Sequence, residues 1–364
     1  MNSFVKELPL SLSVAKEVKE LVILVGTKRG AFIFFSDAQR KFWEINGPHL
    51  LGYSVNNFIF DDRSQETIIL TIEKSDSNQQ LIYTSNDFGK HWLPSKIDHK
   101  VDDNAIVTCI STGFKSDQNT FYAGLSTGDI IFSKDKGKTW ALLISLYTDS
   151  HLVNSMIAEI QCHPTDGNKL VCLMSSFGLV EINLTSKAII KNQNILYHFN
   201  KASKMNINEN GDVVVLDDNG LHSLSLHDTG KQEQSHPIED LLIEHRIASY
   251  IVDPFNIKKI WAYPVNGIEP NRSVSADGHP GLYFSSDGGR SWERQDVGFP
   301  LVNGWFSVGN KSTSSDGCEN YGLYVGTTNG TIWQSLNFGK SWHQLITNLP
   351  EIAQIIKNNS YGFL

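Results

Sequence analysis

Clustered positive charge and long apolar runs are both missing from this sequence. Lys and Arg number 31 against 39 Asp and Glu, so the formal net charge is −8, and no basic run exceeds Lys28-Arg29. A phosphate-binding surface needs clustered Lys and Arg side chains. A transmembrane helix needs roughly 18 or more consecutive apolar residues, and no such run occurs. We therefore expect neither a nucleic-acid partner nor a membrane-spanning segment.

Cysteine is scarce, and its spacing carries no motif. The four cysteines include no Cys-x-x-Cys pair: Cys109, Cys162 and Cys172 lie in hydrophobic stretches, whereas Cys318 lies in a polar one. Isolated cysteines in apolar surroundings are typical of reduced, buried thiols. Residues 1–20 also lack the small-residue cleavage site of a secretory signal peptide. These features predict a cytoplasmic protein without a metal site or a cofactor.

Tryptophan, by contrast, recurs in a fixed frame. Five of the eight tryptophans end a copy of one eight-residue pattern, Ser-x-Asp-x-Gly-x-Ser/Thr-Trp. Ser133–Trp140 and Ser285–Trp292 match it fully, Ser85–Trp92 and Ser335–Trp342 each depart at one position, and Ser36–Trp43 keeps only its ends. This regularity predicts one structural unit repeated along the chain.

Each residue type that recurs in the pattern has a structural reason. A short carboxylate or amide side chain accepts hydrogen bonds from nearby backbone N–H groups and holds a tight turn. Glycine adopts a left-handed backbone without a steric clash, and tryptophan buries a large ring at the start of the next strand. We interpret the residues of the pattern as structural rather than catalytic: Ser85, Asp87, Gly89, Trp92, Ser133, Asp135, Gly137, Trp140, Ser285, Asp287, Gly289, Trp292, Ser335, Asn337, Gly339 and Trp342.

The spacing of the repeat predicts an all-β fold. Hydrophobic runs separated by a short glycine-containing turn precede the pattern, as in Tyr122–Gly128, and indicate strand, turn, strand. Pattern starts at 36, 85, 133, 183, 225, 285 and 335 predict a seven-bladed β-propeller with four-stranded blades over residues 21–364, preceded by a lead-in of residues 1–20. The chain enters at Leu21–Leu24 as a second strand, so Ile352–Ile356 is expected to pair into the first blade and close the ring.

The octapeptide resembles the Asp-box, or bacterial neuraminidase repeat, found in sialidases, sortilin-type receptors, xyloglucan hydrolases and photosystem assembly factors. Further phrases, Trp43–Gly52, Gly322–Gly330 and Leu349-Pro350, are similar to bacterial single-domain proteins labelled sialidase-like or glycosyl hydrolase. The resemblance runs from about residue 21 to 357. It implies the propeller fold, but a fold alone does not carry a function.

Sialidase chemistry, as the resemblance would imply it, needs three arginines that hold a carboxylate, a Tyr–Glu pair and an aspartic acid. The sequence has only seven arginines and lacks the early Phe/Tyr-Arg-Ile-Pro motif, because the first strands read Lys28–Phe32 instead. Arg290, Arg40 and Arg63 lie in Asp-box turns or in an outer loop, so too few arginines remain for such a clamp. We therefore predict a sialidase-like propeller that acts as a binding or scaffold module without true sialidase chemistry.

The loops expected to surround the channel hold the candidate ligand residues. They include one long insertion, Pro264–Gly281, and extra loop length is typical of binding loops. The residues predicted for this channel face are His49, Asp102, Asp103, Asp149, His151, Glu269, Arg272, Asp277 and His279. A carbohydrate or protein partner is expected there, with the protein a monomer. The alternative is a glycoside hydrolase or lyase, which would require two of these carboxylates roughly 5–10 Å apart.

Overall fold

A computed structural model describes residues 21–64, 66–73, 80–146, 155–190, 199–234, 245–267, 273–316 and 320–357. These residues form β-strands and one 3-10 turn at Ala276–Gly278. The strands in the first half of the chain are β1 (Leu21–Thr27), β2 (Gly30–Ser36), β3 (Trp43–His49), β4 (Ser54–Phe60), β5 (Ile68–Glu73), β6 (Gln80–Ser85), β7 (Leu93–Pro94), β8 (Lys96–Ile97), β9 (Val107–Thr112), β10 (Phe121–Leu125), β11 (Asp129–Ser133), β12 (Thr139–Ser145), β13 (Ile157–Cys162), β14 (Lys169–Met174) and β15 (Gly178–Asn183).

The second half continues with β16 (Ala188–Ile189), β17 (Lys204–Ile207), β18 (Asp212–Asp217), β19 (Gly220–Ser225), β20 (Asp228–Gln234), β21 (His245–Val252), β22 (Ile260–Asn266), β23 (Val274–Ser275), β24 (Leu282–Ser285), β25 (Glu293–Gln295), β26 (Val308–Ser315), β27 (Leu323–Thr327), β28 (Ile332–Ser335), β29 (His343–Ile346) and β30 (Ile352–Lys357). None of the helices in the described ranges is long and apolar enough to cross a membrane.

The predicted turns lie where the spacing placed them. The seven predicted starts coincide with the last residues of β2, β6, β11, β15, β19, β24 and β28. Six of these strands pair antiparallel with the strand before them, as in the register Ile69↔Thr84 between β5 and β6, whereas β24 pairs antiparallel with β22. The prediction of strand, turn, strand is therefore confirmed at the level of single hairpins.

The strands assemble into fewer separate sheets than predicted. Five sheets have four or five strands each, and one sheet has eight, in the order β29-β28-β27-β26-β30-β1-β2-β3. The prediction of seven separate four-stranded blades is therefore wrong. The physical reason is one parallel pairing, Lys311↔Gln354, which joins β26 to β30 and merges two groups of four strands into one hydrogen-bonded sheet.

The two ends of the described chain meet in this eight-stranded sheet. Strand β30 pairs antiparallel with β1, with Leu24 opposite Ile356, as the sequence predicted for the C-terminal strand. A buried ion pair adds a second link, since Arg40 Nε lies 2.6 Å from Asp316 Oδ2 and Arg40 Nη2 lies 2.8 Å from Oδ1. Tyr324 donates its hydroxyl to the same carboxylate at 2.9 Å. These contacts attach the strands at the start of the chain to those at its end.

Seven strands make contacts from one group of strands to the next and are called the axial strands below: β4, β9, β13, β17, β21, β26 and β30. Contacts between neighbours run β4–β9, β9–β13, β13–β17, β21–β26, β26–β30 and β30–β4. Within a sheet, exposure increases towards the outer edge: the second strand β1 is buried throughout, whereas the outermost strand β3 is mainly exposed. Hydrophobic clusters fill the spaces between sheets, for example around Trp140 and around Trp261. The architecture is that of an all-β propeller.

Candidate functional site

The Asp-box turns share one pattern of hydrogen bonds. In the turn after β11, Ser133 Oγ donates to Asp135 Oδ1 at 2.8 Å and accepts the N–H of Gly137 at 2.9 Å. Asp135 Oδ1 also accepts the N–H of Thr139 at 2.8 Å. The same bonds recur in the turns that begin at Ser85, Ser285 and Ser335. The Asp and Asn side chains of these turns accept hydrogen bonds from local backbone N–H groups.

The carboxylates of these turns are held in the ionised form. Burial raises the pKa of Asp87, but hydrogen bonds from the His91 backbone, the His91 ring and Ser85 outweigh it and lower the pKa to about 2. In Asp287, hydrogen bonds from the Ser291 side chain and backbone lower the pKa below its ordinary value. An ionised carboxylate saturated by local donors is a turn-forming group and not a proton donor for catalysis.

Two loops meet in the structure, and the sequence singled out the first of them. They are the end of the long insertion, residues 273–281, and the connection from β25 to β26, residues 296–307. The backbone N–H of Gly304 donates to the carbonyl of Gly278 at 2.8 Å, and that of Ser275 donates to the carbonyl of Phe306 at 2.7 Å. The hydroxyls of Ser273 and Ser307 lie 2.9 Å apart. We call these two loops together the platform.

Buried aromatic side chains fix the second loop of the platform at both ends. The ring centroid of Phe299 lies 4.6 Å from that of Trp333 and 5.4 Å from that of Trp342, and Phe306 stacks on Trp333 at 6.5 Å. Between these anchors the loop turns outward and leaves Leu301, Val302 and Trp305 exposed, at 70%, 71% and 59% of their surface. Large apolar side chains are thus presented to solvent on a loop with fixed ends.

The indole of Trp305 lies against the insertion. A Cβ placed on Gly278, whose φ is +66°, would come within 2.6 Å of an indole ring atom of Trp305. A Cβ on Gly304 would likewise come within 2.4 Å of Pro280. Only glycine permits this close approach of the two loops.

A charged cluster around Arg294 contacts both loops of the platform. Arg294 donates to Asp296 Oδ2 at 2.8 Å, to the Tyr283 hydroxyl at 2.7 Å and to the His279 carbonyl at 2.8 Å. His279 Nε2 lies 3.2 Å from the same Asp296 oxygen, within ion-pair range but without hydrogen-bond geometry. Burial lowers the pKa of Arg294, but its bonds to Asp296 and Tyr283 outweigh this and raise it, so the guanidinium is a fixed charge. The cluster holds the base of the platform rigid.

The predicted ligand-face residues divide into four groups. Asp277 and His279 lie in the platform, where Asn266 donates to Asp277 at 3.2 Å. Asp102 and Asp103 are exposed in the loop before β9, and the carboxylate of Asp102 accepts the N–H of Asn104 at 2.9 Å. Four further residues predicted for the ligand face lie outside the described residues: Asp149, His151, Glu269 and Arg272.

His49 forms the fourth group. It ends β3, the outermost strand of its sheet, with its ring 5.8 Å from that of Trp92 in the next Asp-box turn. Burial lowers the pKa of His49, and its Nε2 is buried without a hydrogen-bond partner. A role for His49 on a ligand face stays a prediction.

The loops that lead into the axial strands share one end of the axis, which we call the entry face. The parallel pairing of β26 with β30 shows that these two axial strands run in the same direction, and the platform loop of residues 296–307 leads into β26. Further large apolar side chains are exposed in loops of the entry face: Leu51 before β4, Ile106 before β9 and Met156 before β13. Apolar exposure on this face is therefore not limited to the platform.

Polar side chains fill the axis itself. Lys204 of β17 donates to the Tyr250 carbonyl at 2.7 Å, to Thr313 Oγ1 at 3.2 Å and to Ser249 Oγ at 3.3 Å. These acceptors belong to β21 and β26, so one ammonium links three axial strands. Lys204 is a residue that sequence reasoning missed, because a single lysine at the start of a short strand resembles any solvent-facing residue.

A second lysine makes the corresponding links on the other side. Lys311 of β26 donates to Asn57 Oδ1 at 3.0 Å and to the Thr108 carbonyl at 2.8 Å, and its ammonium lies 3.5 Å from Glu159 Oε1. Its partners belong to β4, β9 and β13.

Shorter side chains bridge the remaining neighbours. Four of them donate a hydrogen bond to a backbone carbonyl of the neighbouring strand: Asn57 to Val107, Gln161 to Met205, Ser249 to Asn310 and Thr108 to Ile157. A fifth, Gln354, accepts the backbone N–H of Phe58 at its side-chain oxygen. We call this set of side chains, with Lys204 and Lys311, the axial belt.

Catalytic constellations are not apparent in the described ranges. Arg40, Arg63 and Arg294 are each engaged in an ion pair, with Asp316, Asp61 and Asp296 respectively. Among those ranges no group of three or more His, Cys, Asp or Glu side chains is arranged to hold a metal ion. Cys109, Cys162 and Cys172 are free thiols, and burial raises the pKa of each.

Comparison with known proteins supports the repeat and the fold. Residues 82–95 match the family model described as BNR-Asp box repeat, and no curated protein matches the chain. YCF48 from Cyanidioschyzon merolae is similar in structure, with a TM-score of 0.58 at 12% identity over 81% of this chain and 86% of that one. A structure titled YCF48 bound to D1 peptide gives 0.53 at 14% identity over 87% and 88%.

A third similar structure is the β-propeller domain of Myceliophteria thermophila Cps50 (Swd1), with a TM-score of 0.55 at 11% identity over 84% of this chain and 88% of that one. At such identities the likeness shows the fold alone, and it agrees with the all-β propeller described above.

Proposed function

We propose that this protein is a propeller binding module, without sialidase chemistry, that takes a segment of a partner protein on its entry face. The observation that carries the proposal is the platform loop, which exposes Leu301, Val302 and Trp305 between the buried anchors Phe299 and Phe306. Exposed, contiguous apolar side chains mark interaction sites on soluble proteins.

The rigidity of the loop favours binding over mere exposure. Interface hot spots are enriched in tryptophan, and affinity improves when the contact residues are ordered before binding. Trp305 meets both conditions, because its ring packs on Gly278 while most of its surface remains free. A partner segment that covers these side chains would remove apolar surface from water at little cost in conformational entropy.

The class of partner draws support from a structural neighbour. One of the similar propellers is described as bound to D1 peptide. The likeness concerns the fold, so it supports a peptide-binding propeller as a class and not the same peptide. Cytoplasmic location and a monomeric state are part of the same proposal.

We further propose that the pairing of β30 with β1 closes the sheets into one ring. Support comes from the pairing of β30 with β1, from the ion pair between Arg40 and Asp316, and from the axial belt that links β17 to β21 and β26. An experimental structure with β30 away from β1 would contradict the closed ring.

The binding proposal is tested with peptides displayed on phage. A random peptide library is selected on the wild-type protein, and enriched sequences are synthesised and titrated against two variants. Val302→Glu places a charge on the platform, and Phe255→Glu does the same at a side chain with similar exposure, 71% against 73%, in the loop between β21 and β22.

We expect Val302→Glu to weaken binding at least tenfold and Phe255→Glu to leave it unchanged, with both variants melting as the wild type does. Failure to enrich any peptide, or equal affinity of the Val302→Glu variant, would refute the platform as the binding site.

A further inference from the structure

One arginine beside the platform differs from the other buried or half-buried arginines of the described chain. Arg246 is the second residue of β21 and is half-buried. Its Nε donates to the Gly267 carbonyl at 3.1 Å, which is the one hydrogen bond of its side chain to the described residues. Arg40, Arg63 and Arg294, by contrast, each donate to an aspartate. The two terminal nitrogens of Arg246 are therefore available for a further partner.

The charged groups around Arg246 leave one positive charge in excess. Asp218, in the turn between β18 and β19, attracts the guanidinium. That carboxylate is shared, because it also lies 3.4 Å from the ammonium of Lys201. A half-buried guanidinium has lost part of its hydration, and a carboxylate that accepts two parallel hydrogen bonds compensates this loss better than a neutral group does.

Arg246 is joined to the exposed side chains of the platform through neighbouring strands. Val265 of β22 pairs with Arg246 on one side and with Ser275 of the platform on the other. The N–H of Ser275 donates in turn to the carbonyl of Phe306, the residue after Trp305. The free edge of the guanidinium and the exposed indole therefore belong to one continuous part of the entry face.

Strand spacing sets the separation between these two features. Neighbouring strands lie about 4.8 Å apart, so two such steps place Arg246 roughly 10 Å from Ser275 and roughly 10–15 Å from Trp305. An extended peptide rises about 3.3 Å per residue, so about three to five of its residues cover this distance.

We propose that the partner segment carries an aspartate or glutamate that binds Arg246, about three to five residues from the apolar side chains that cover Val302 and Trp305. This inference rests on the proposed function of the platform and specifies the chemistry of its partner. Because Nε is already bound to Gly267, the carboxylate is held end-on by the two terminal nitrogens. An apolar contact and an ion pair at a fixed separation determine both the position and the specificity of the bound segment.

Peptide selection tests the inference without knowledge of the natural partner. The random library is selected in parallel on the wild type and on the variants Arg246→Gln and Arg29→Gln. Arg29 is the matched control, because it is an exposed arginine in the turn between β1 and β2, next to Lys28, whose N–H donates to Glu351 just before β30.

Peptides enriched on the wild type and on the Arg29→Gln variant should contain an acidic residue at a fixed spacing from a hydrophobic residue. Peptides enriched on the Arg246→Gln variant should keep the hydrophobic residue and lose the acidic one.

A double-mutant cycle then measures the contact itself. One enriched peptide is synthesised with an amidated C-terminus, together with an analogue in which the acidic side chain is replaced by its amide. Both are titrated against the wild type and the Arg246→Gln variant. Each single change should weaken binding at least tenfold, and the two changes together should weaken it no more than either one alone.

The outcomes separate this inference from the proposal on which it rests. Peptides that lose affinity for the Val302→Glu variant but contain no acidic residue, or that bind the Arg246→Gln variant as tightly as the wild type, would overturn the role of Arg246 and leave the platform in place. Failure to enrich any peptide would refute both. If the melting temperature shows that the Arg246→Gln variant is poorly folded, equal affinity of the wild type for the acidic peptide and its amide analogue would still overturn the inference.

Discussion

Breaking the buried ion pair between Arg40 and Asp316 should cost more stability than any surface substitution in the described chain. The guanidinium forms two bonds to the carboxylate, at 2.6 and 2.8 Å, and both side chains are almost fully buried. Arg40→Met removes the cation while keeping a long apolar stem. It leaves Asp316 with the Tyr324 hydroxyl as a neutral donor to its side chain.

The magnitude follows from the burial of the carboxylate. Removing one partner of a buried ion pair leaves an uncompensated charge and costs about 3–5 kcal/mol. Replacing both partners by apolar residues removes that charge, so the double variant Arg40→Met/Asp316→Leu should recover much of the loss. Arg40 has a φ of 57°, which is strained for any residue with a Cβ, and methionine does not change that cost.

Urea denaturation followed by tryptophan fluorescence measures these differences. The control is Arg29→Met, which removes an exposed arginine from the turn between β1 and β2 and should change stability by less than about 0.5 kcal/mol. The slope of unfolding free energy against urea should stay the same in all variants if the folded state is intact. A loss below about 1 kcal/mol for Arg40→Met, or a double variant weaker than the single one, would refute the reasoning.

Three further outcomes test the turns and the platform anchors. Asp135→Ala should lower the unfolding free energy by about 1–2 kcal/mol and leave peptide binding intact, as denaturation and titration will show. Asp87→Asn should flatten the acid limb of the stability curve, because the folded pKa of Asp87 is depressed to about 2 and its contribution is lost as pH falls from 3.8 through 2. Phe299→Ala should cost about 3–5 kcal/mol by calorimetry, since it empties a buried aromatic site beside Trp333.

Local features were predictable from the sequence because their causes are local. The bonds of Asp135 and of its counterparts reach only two to four residues along the chain, so their pattern is visible as spacing. The pairing of β30 with β1 was also predictable, because a strand without a unit of its own and a unit without a strand were both apparent. Patterns of this kind need no knowledge of distant contacts.

Features that depend on contacts between units were not predictable. The number of separate sheets changed through one pairing of Lys311 with Gln354, which no periodicity signals. Loop length marked Pro264–Gly281 as a candidate binding region, but the anchoring of Phe299 against Trp333 decides which side chains the platform exposes. The hydrogen bonds of Lys204 likewise reach strands that are distant in sequence.

The union of the first and last strands has a consequence for synthesis of the protein. Asp316, the partner of Arg40, is synthesised 276 residues later. At about 5–20 residues per second, this takes roughly 14–55 s. During that interval β1 has β2 on one side and an unpaired edge on the other, which is a template for association with other chains. The nascent chain is therefore most vulnerable to aggregation at its beginning, and translation speed and chaperone supply should affect its yield more than the stability of the finished fold does.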